Sequence, residues 1–154
     1  MDSGDNVFVG GYTYGAFTGS NAGQCDAWFA KYSPSGDEVW LEQIGTSQFD
    51  SVLTIAVDSS DSLFVGGRTH YGAFSGYSNA GGRDVWFAKY SPSGVQEWLK
   101  QFGSSGSEGL EKMTYVHRKR LQLLYHFDCA AFWTVRLMRT ACIHGMHVES
   151  HRSS

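Results

Sequence analysis

The sequence predicts an all-β protein made of about two four-stranded antiparallel units, followed by a divergent C-terminal tail. Three observations carry this prediction. The first 109 residues contain two copies of one pattern, short apolar segments alternate with turn signals within each copy, and 18 of the 19 glycines lie before residue 110. Many short strands separated by glycine-containing turns are typical of β architectures.

The duplication is the main feature of the N-terminal part. Residues 20–47 align with residues 78–105 at an offset of 58, and 19 of the 28 pairs are identical, including WFAKYSPSG from Trp28 and again from Trp86. Upstream, a second pair of matching blocks, DSGDNVFVGG and DSSDSLFVGG, is offset by 56. A fixed period of this length indicates a repeat architecture.

In the second copy we predict four strands, over residues 52–57, 63–65, 85–90 and 96–102. The first is apolar at nearly every position, as in a strand covered on both faces. The last two are joined by SPSG, whose proline and glycine suit the turn of an antiparallel hairpin. Four such strands in a unit of roughly 50 residues predict one blade of a β-propeller.

The first copy begins in mid-unit. Residues 1–51 predict strands two to four of a blade, residues 52–109 predict a complete blade, and residues 110–154 show no third copy of the pattern. A propeller closes a ring of ~4 to 8 blades, and repeat architectures need about three or more units to bury a continuous core. We therefore expect the chain to be a fragment or a truncated gene model that depends on further blades, from a longer parent chain or from other copies of itself.

The tail differs from the repeats in charge and composition. Residues 1–109 carry 5 Lys and Arg against 12 Asp and Glu, whereas residues 110–154 carry 7 against 3. Six apolar residues at roughly helical spacing predict an amphipathic helix over residues 115–140. They are Val116, Leu124, Phe127, Ala131, Val135 and Met138. The loss of glycine and of acidity fits equally a segment translated from a shifted frame or from a retained intron.

Whole-chain properties exclude several classes. The net charge of −3 gives no reason to expect nucleic acid as a partner, and the longest apolar region is too short to span a bilayer, which needs ~20 apolar residues. We expect no secretory signal in the chain as given. Three cysteines do not build a disulfide-rich fold, and they leave the redox compartment open.

Two sets of residues in the repeats are candidates for binding. Asp58 and Asp61 are oxygen donors in a tight loop and could hold calcium, but the loop lacks the glycine and distal Glu of an EF-hand and a hairpin turn is needed there, which favours a turn role. Aromatic and asparagine side chains in the two long loops would suit a stacking surface for a glycan or a protein, but the matching positions of Phe17 and Phe74 in the two copies favour packing between units instead. This second set comprises Tyr12, Tyr14, Phe17, Asn21, Tyr71, Phe74, Tyr77 and Asn79.

Other recurring residues are interpreted as structural. Asp26 and Asp84 precede equivalent strands and are expected to cap them through hydrogen bonds to the nearby backbone. The remaining repeat positions fill the core or allow close packing. They are Trp28, Trp40, Trp86, Trp98, Gly66 and Gly67.

The sequence contains no catalytic constellation that withstands inspection. YSPSG lacks the GxSxG pattern of a nucleophile elbow, and the paired acids Asp37 and Glu38 become Val95 and Gln96 in the second copy. In the tail, the cysteines and histidines do not have zinc-finger spacing, and three adjacent basic residues are typical of solvated surface. The tail residues in question are Cys129, Cys142, His144, His147, His151, Arg118, Lys119 and Arg120.

Three motif sets recur in the two copies. They are IAVDSSDSLFVGGRT from Ile55, DVWFAKYSPSG from Asp84 with DAWFAKYSPSG from Asp26, and WLEQIGTS from Trp40 with WLKQFGSS from Trp98. In these motifs, residues 1 to about 109 resemble the SBBP-type β-propeller repeat of large bacterial and archaeal cell-surface, S-layer-like proteins and of some eukaryotic ones. The resemblance implies four-stranded blades, a surface or secreted location, and no established catalytic residues.

The sequence therefore predicts a non-enzymatic scaffold or interaction and adhesion module of a cell-surface-type protein, with no cofactor. The expected partners are further propeller blades and protein or glycan ligands. The alternative is a fragment of a propeller-borne hydrolase or lyase whose catalytic residues lie in missing blades.

Overall fold

A computed structural model describes residues 1–116, 120–127, 131–137 and 148–150, with side chains through residue 110. All regular structure in these residues is β, in antiparallel sheets of three, four and four strands. The predicted all-β class is therefore confirmed. Within the same residues there is no helix with the length and apolarity needed to cross a bilayer.

The first sheet contains β1 (Val7–Thr13), β2 (Asp26–Tyr32) and β3 (Glu38–Ile44), in that order. The SPSG segment turns the chain between β2 and β3: Gly36 adopts a φ of +90° and its N–H donates to Ser33 O at 2.9 Å. Glycine takes this left-handed conformation at little steric cost. The three strands match the number predicted for the first copy.

The second sheet contains β4 (Phe49–Val57), β5 (Leu63–His70), β6 (Arg83–Tyr90) and β7 (Gln96–Phe102), again in sequence order. All four predicted strands are present, and β5 extends well beyond the predicted residues 63–65. Along β5, backbone pairs with β4 on one side and with β6 on the other, so it is an inner strand of the sheet.

The tail is the main correction. Its described residues form a third sheet with β8 (Glu108–Val116), β9 (Arg120–Phe127), β10 (Ala131–Leu137) and β11 (Val148–Ser150). The amphipathic helix predicted over residues 115–140 is wrong for every one of these residues. Apolar residues are frequent enough here to meet helical spacing by coincidence, and segments such as AFWTVRL are rich in the aromatic and β-branched residues that favour strands.

The connection between successive sheets repeats. A parallel bridge joins Cys25 to Phe49 at the start of the second sheet, and an equivalent bridge joins Arg83 to Ser107 at the start of the third, 58 residues later in both partners. The bulge that β4 forms against β5 at residues 52–54 recurs in β8 against β9 at residues 110–112. The third sheet therefore begins like the second, although its sequence has diverged.

Aromatic side chains pack the first sheet against the second. The rings of Phe29 on β2 and Tyr90 on β6 meet edge to face with centroids 4.8 Å apart. Trp40 on β3 lies against Gly94 in the second sheet's hairpin turn, and its indole N–H donates to Pro92 O at 3.2 Å. Trp40 therefore contacts the second sheet through both its ring and its indole N–H.

The other recurring residues pack within their own sheet or against the next sheet. Trp86 is fully buried, while Trp98 is half-buried and its ring meets that of Phe87 at a centroid distance of 5.4 Å. A side chain on Gly66 would come within 2.8 Å of the Leu110 side chain on β8, so this glycine allows the third sheet to approach β5 closely.

Candidate functional site

Two long loops, one in each copy, contain the predicted ligand-binding residues. The first connects β1 to β2 over residues 14–25, and the second connects β5 to β6 over residues 71–82. Both end beside a connection between sheets, because Cys25 and Arg83 form the two parallel bridges. The loops are therefore presented at equivalent places on the scaffold.

A glutamine anchors each loop to the outer strand of its sheet. Gln43 on β3 accepts a hydrogen bond from Phe17 N at 2.7 Å and donates to Gly15 O at 3.1 Å. Gln101 on β7 makes the same two bonds with the second loop, to Phe74 N and Gly72 O. Sequence reasoning missed these glutamines. Their identity at an offset of 58, the only polar identity in a strand that otherwise shares a Trp and a Leu, was the available signal.

In the first copy the loop aromatics form an exposed surface, here named the aromatic patch: Tyr12, Tyr14, Phe17 and Trp28. Tyr12, Tyr14 and Phe17 expose 58%, 70% and 56% of their surface. Two ring pairs meet edge to face, Tyr12 with Tyr14 at 5.9 Å and Phe17 with Trp28 at 5.2 Å. The Trp28 N–H donates to Tyr12 O at 3.2 Å and links the two pairs.

The second copy does not present the same surface. Phe74 is buried and packs on the Trp86 ring at 5.6 Å, and Tyr77 is half-buried with its hydroxyl donating to Leu99 O at 3.0 Å. Only Tyr71 stays largely exposed there. The core cluster around Phe74 includes Val52 of β4, a strand for which the first sheet has no counterpart in the described part of the chain.

The two loop asparagines bond within their own loops. Asn21 accepts from Gly23 N at 2.8 Å and its amide lies 3.4 Å from Gly15 O. The Asn79 amide donates to Gly72 O at 3.3 Å. These contacts fix the loop backbone on which the neighbouring aromatic rings are carried.

The predicted strand caps are present. Asp26 accepts from Ala22 N at 2.8 Å, and Asp84 accepts from Ala80 N at 3.1 Å. Each aspartate also accepts from the anchoring glutamine of its copy, at 2.8 Å in both cases. The aspartate side chain of each copy thus links the C-terminal part of the loop to the outer strand of the sheet.

Asp58 and Asp61 lie in the turn between β4 and β5. The Asp58 carboxylate accepts from Ser60 N at 2.8 Å and from Ser62 N at 3.0 Å, which closes the turn. Asp61 has a φ of +59° and accepts from Ser3 N at 2.8 Å. In the part of the chain that the structure describes, no group of three or more His, Cys, Asp or Glu is arranged to hold a metal ion.

Asp2 is held by an ion pair with Lys31, whose Nζ lies 2.8 Å from its carboxylate. Asn6 N also donates to Asp2, at 3.0 Å. Burial raises the pKa of Asp2, but the hydrogen bonds from Lys31 and Asn6 outweigh it and lower that pKa from 3.8 to about 2. The pair therefore stabilises the fold above about pH 4, and this contribution is lost as the pH falls through about 2.

Replacing Lys31 with methionine is expected to raise the pKa of Asp2 from about 2 towards its ordinary value of 3.8, because burial would then be opposed only by the hydrogen bonds from Asn6 and Gly4. The pKa is measured by NMR titration of the Asp2 carboxyl carbon. Lys89→Met is the matched control, since Lys89 occupies the equivalent position and pairs with Glu97 instead. An Asp2 pKa that stays near 2 in Lys31→Met would contradict the assignment.

Most of the tail candidates lie outside the described residues. This holds for Arg118 and Lys119 and for the cysteines and histidines considered as zinc ligands, while Arg120 begins β9. The zinc candidates outside the described ranges are Cys129, Cys142, His144, His147 and His151.

Comparison with protein-family models and with curated protein sequences finds no match for the chain.

Proposed function

We propose that this chain is a stretch of a β-propeller repeat protein of the SBBP type, serving as a non-enzymatic scaffold and interaction module at a cell surface. The observation that carries the proposal is the repeated connection between sheets. The Cys25–Phe49 and Arg83–Ser107 bridges and the bulges in β4 and β8 all recur at the same spacing of 58 residues. A repeated step from one sheet to the next is how propellers and other repeat proteins are built.

The first sheet supports the expectation that further blades take part. Val7 and Val9 on β1 are 42% and 37% exposed, whereas their equivalents in the second sheet, Leu63 and Val65, are fully buried. The second sheet has β4 beside β5 at this position, and β1 has no such neighbour among the described strands. An uncovered strand edge of this kind is a template for pairing with another strand.

A synthetic peptide with the sequence of residues 49–57 tests whether β1 accepts a strand like β4. We expect the peptide to bind and to slow amide hydrogen exchange in β1 while leaving β5 unchanged, because β5 already has neighbours on both sides. A scrambled peptide is the control. If the β1 amides that do not bond to β2 are already protected in the monomeric chain, or if the peptide leaves their exchange unaltered, the proposed arrangement is wrong.

The aromatic patch supports the interaction role. Exposed rings carried on braced loops are typical of surfaces that stack on sugar rings or on a protein partner. We propose a glycan as the ligand class.

A glycan array screened with the wild-type chain and with Tyr14→Ala tests this proposal, with Tyr71→Ala as a matched control outside the patch. Binding should be lost in Tyr14→Ala only; equal loss in both variants, or no binding by the wild type, would contradict a glycan site here.

A further inference from the structure

Each connection between sheets contains a buried pair of acidic side chains. At the first, Asp26 begins β2 and Asp50 lies in β4, where its N–H donates to Cys25 O at 2.7 Å. At the second, Asp84 in β6 and Glu108 in β8 both lie beside Gly103. The two pairs are separated by 58 residues in both members. All four side chains are at most 2% exposed. Acidic residues are almost never buried this completely unless they are paired.

In each acid, one carboxylate oxygen is well supplied with donors. The Asp26 Oδ2 atom accepts from Ala22 N and from Gln43 Nε2, both at 2.8 Å. The Asp50 Oδ2 atom accepts from the backbone and the hydroxyl of Thr46, at 2.6 and 2.8 Å. At the second junction, Ala80 N and Gln101 Nε2 donate to Asp84 Oδ2, and the Ser104 hydroxyl donates to Glu108 Oε1. Donors of this kind favour the ionised form of a carboxyl group.

The other oxygen of each acid lacks a well-formed hydrogen bond, although the Thr69 hydroxyl lies close enough to Asp50 to act against the rise in its pKa. The four unpartnered atoms are Asp26 Oδ1, Asp50 Oδ1, Asp84 Oδ1 and Glu108 Oε2. The ion pairs formed by described residues join Lys31 to Asp2 and Lys89 to Glu97, so none of them neutralises these acids. Two buried carboxylates without a counter-ion are strongly unfavourable, so each junction needs either a bound cation or a proton to reduce its negative charge.

A glycine lies directly against the unpartnered oxygens at each junction. A side chain on Gly103 would collide with Asp84 Oδ1 and lie 3.0 Å from Glu108 Oε2, so these two oxygens approach the same glycine. A side chain on Gly45, the equivalent glycine, would collide with Asp26 Oδ1. The identity of this glycine in both copies keeps room for the carboxylate.

We propose that each junction binds one calcium ion between the unpartnered oxygens of its acid pair. Ca²⁺ prefers oxygen ligands and accepts irregular geometry, and it takes carboxylate, hydroxyl and backbone oxygens together. Between the copies Asp50 becomes Glu108 and Thr46 becomes Ser104, and both changes keep an oxygen ligand.

The two sites differ in one ligand. Thr69 pairs with Asp50 across β4 and β5, so a buried hydroxyl lies beside the first pair, whereas Phe127 occupies the equivalent position opposite Glu108. Because each junction has only two acids, hydroxyl and backbone oxygens complete the coordination. Each ion would bind two successive sheets together and stabilise their stacking.

Thermal unfolding of the full chain in EDTA and in increasing calcium chloride tests the proposal. A ligand that binds only the folded state raises the melting temperature continuously with its concentration. We expect such a rise, by several degrees at saturation, a smaller one with magnesium, and two calcium ions per chain by calorimetry. A melting temperature independent of calcium would overturn the proposal.

The double variant Asp26→Asn, Asp84→Asn assigns the sites, with Asp58→Asn as the control in an exposed turn. We expect the double variant to lose the calcium response and to unfold in EDTA no more easily than the wild type, because the repulsion within each pair is gone. An unchanged calcium response would overturn the assignment.

Two further readouts complete the test. If the double variant does not fold, terbium luminescence of the wild type decides, with binding and displacement by calcium expected. Burial raises the pKa of Asp50, so a shared proton is the competing way to neutralise the first pair. A wild-type chain that ignores calcium and gains stability on mild acidification would show that protons occupy these sites, which refutes the calcium proposal.

Discussion

Replacing Gly67 with alanine is expected to destabilise the chain by roughly 3 kcal/mol, although the change adds only one methyl group. Gly67 lies on β5 where the bulge of β4 brings the two backbones together. A Cβ there would collide with Ser51 O and lie 2.9 Å from the buried Trp86 ring. The Ser51 carbonyl oxygen cannot move away without breaking the hydrogen bonds between β4 and β5. The substitution is therefore expected to destabilise the whole sheet.

Gly11→Ala is the matched control for this prediction. Gly11 occupies the equivalent position on β1, but a Cβ there would meet only the Trp28 ring, at 3.4 Å or more, which is ordinary contact. We expect a change in unfolding free energy within about 0.5 kcal/mol, measured for both variants by urea unfolding followed by tryptophan fluorescence. Equal costs for the two glycines would mean that β1 has a neighbouring strand in solution.

The strand pattern of the two copies could be predicted from the sequence because local signals agree there. The apolar run of β4, the alternation in β6 and the SPSG turns each indicate strands, and duplication lets each copy support the other. The acid pairs could not be predicted, since Asp50 and Glu108 are far in sequence from Asp26 and Asp84. Only the stacking of one sheet on the next brings them together.

In the tail, by contrast, the strands could not be predicted from local sequence signals. Its sequence no longer repeats, so a pattern of apolar residues had to be interpreted alone and was assigned to a helix. The position of β8 depends on β4 and β5, against which it packs, and on the bridge from Arg83 to Ser107. Tertiary context of this kind overrides local periodicity.

Tertiary context also explains why equivalent aromatic residues of the two loops differ in burial. Phe17 and Phe74 are equivalent in sequence, and packing was predicted for both. Phe74 joins a core cluster that includes Val52, and Phe17 remains 56% exposed beside a sheet without a strand like β4. Whether this loop phenylalanine is buried therefore depends on whether its sheet contains a strand like β4.

Trp86→Ala is expected to cost about 3–5 kcal/mol, the range for removing a fully buried aromatic side chain. Trp86 has no exposed surface, and it packs against Phe74. Trp86→Phe should cost less, because it keeps a ring in the core and removes an indole N–H that has no hydrogen-bond partner. Unfolding in urea followed by far-UV circular dichroism measures all variants without relying on the deleted fluorophore.

Trp28→Ala, at the equivalent position, separates packing within one sheet from the addition of a further strand to that sheet. Trp28 is half-buried and in contact with the exposed Phe17, so its removal from a monomer should cost about 1–2 kcal/mol. Addition of a strand beside β1 would bury this ring as β4 buries Trp86. The cost of Trp28→Ala should then rise toward that of Trp86→Ala when the 49–57 peptide is bound, and a cost that stays the same would show that the peptide does not complete the first sheet.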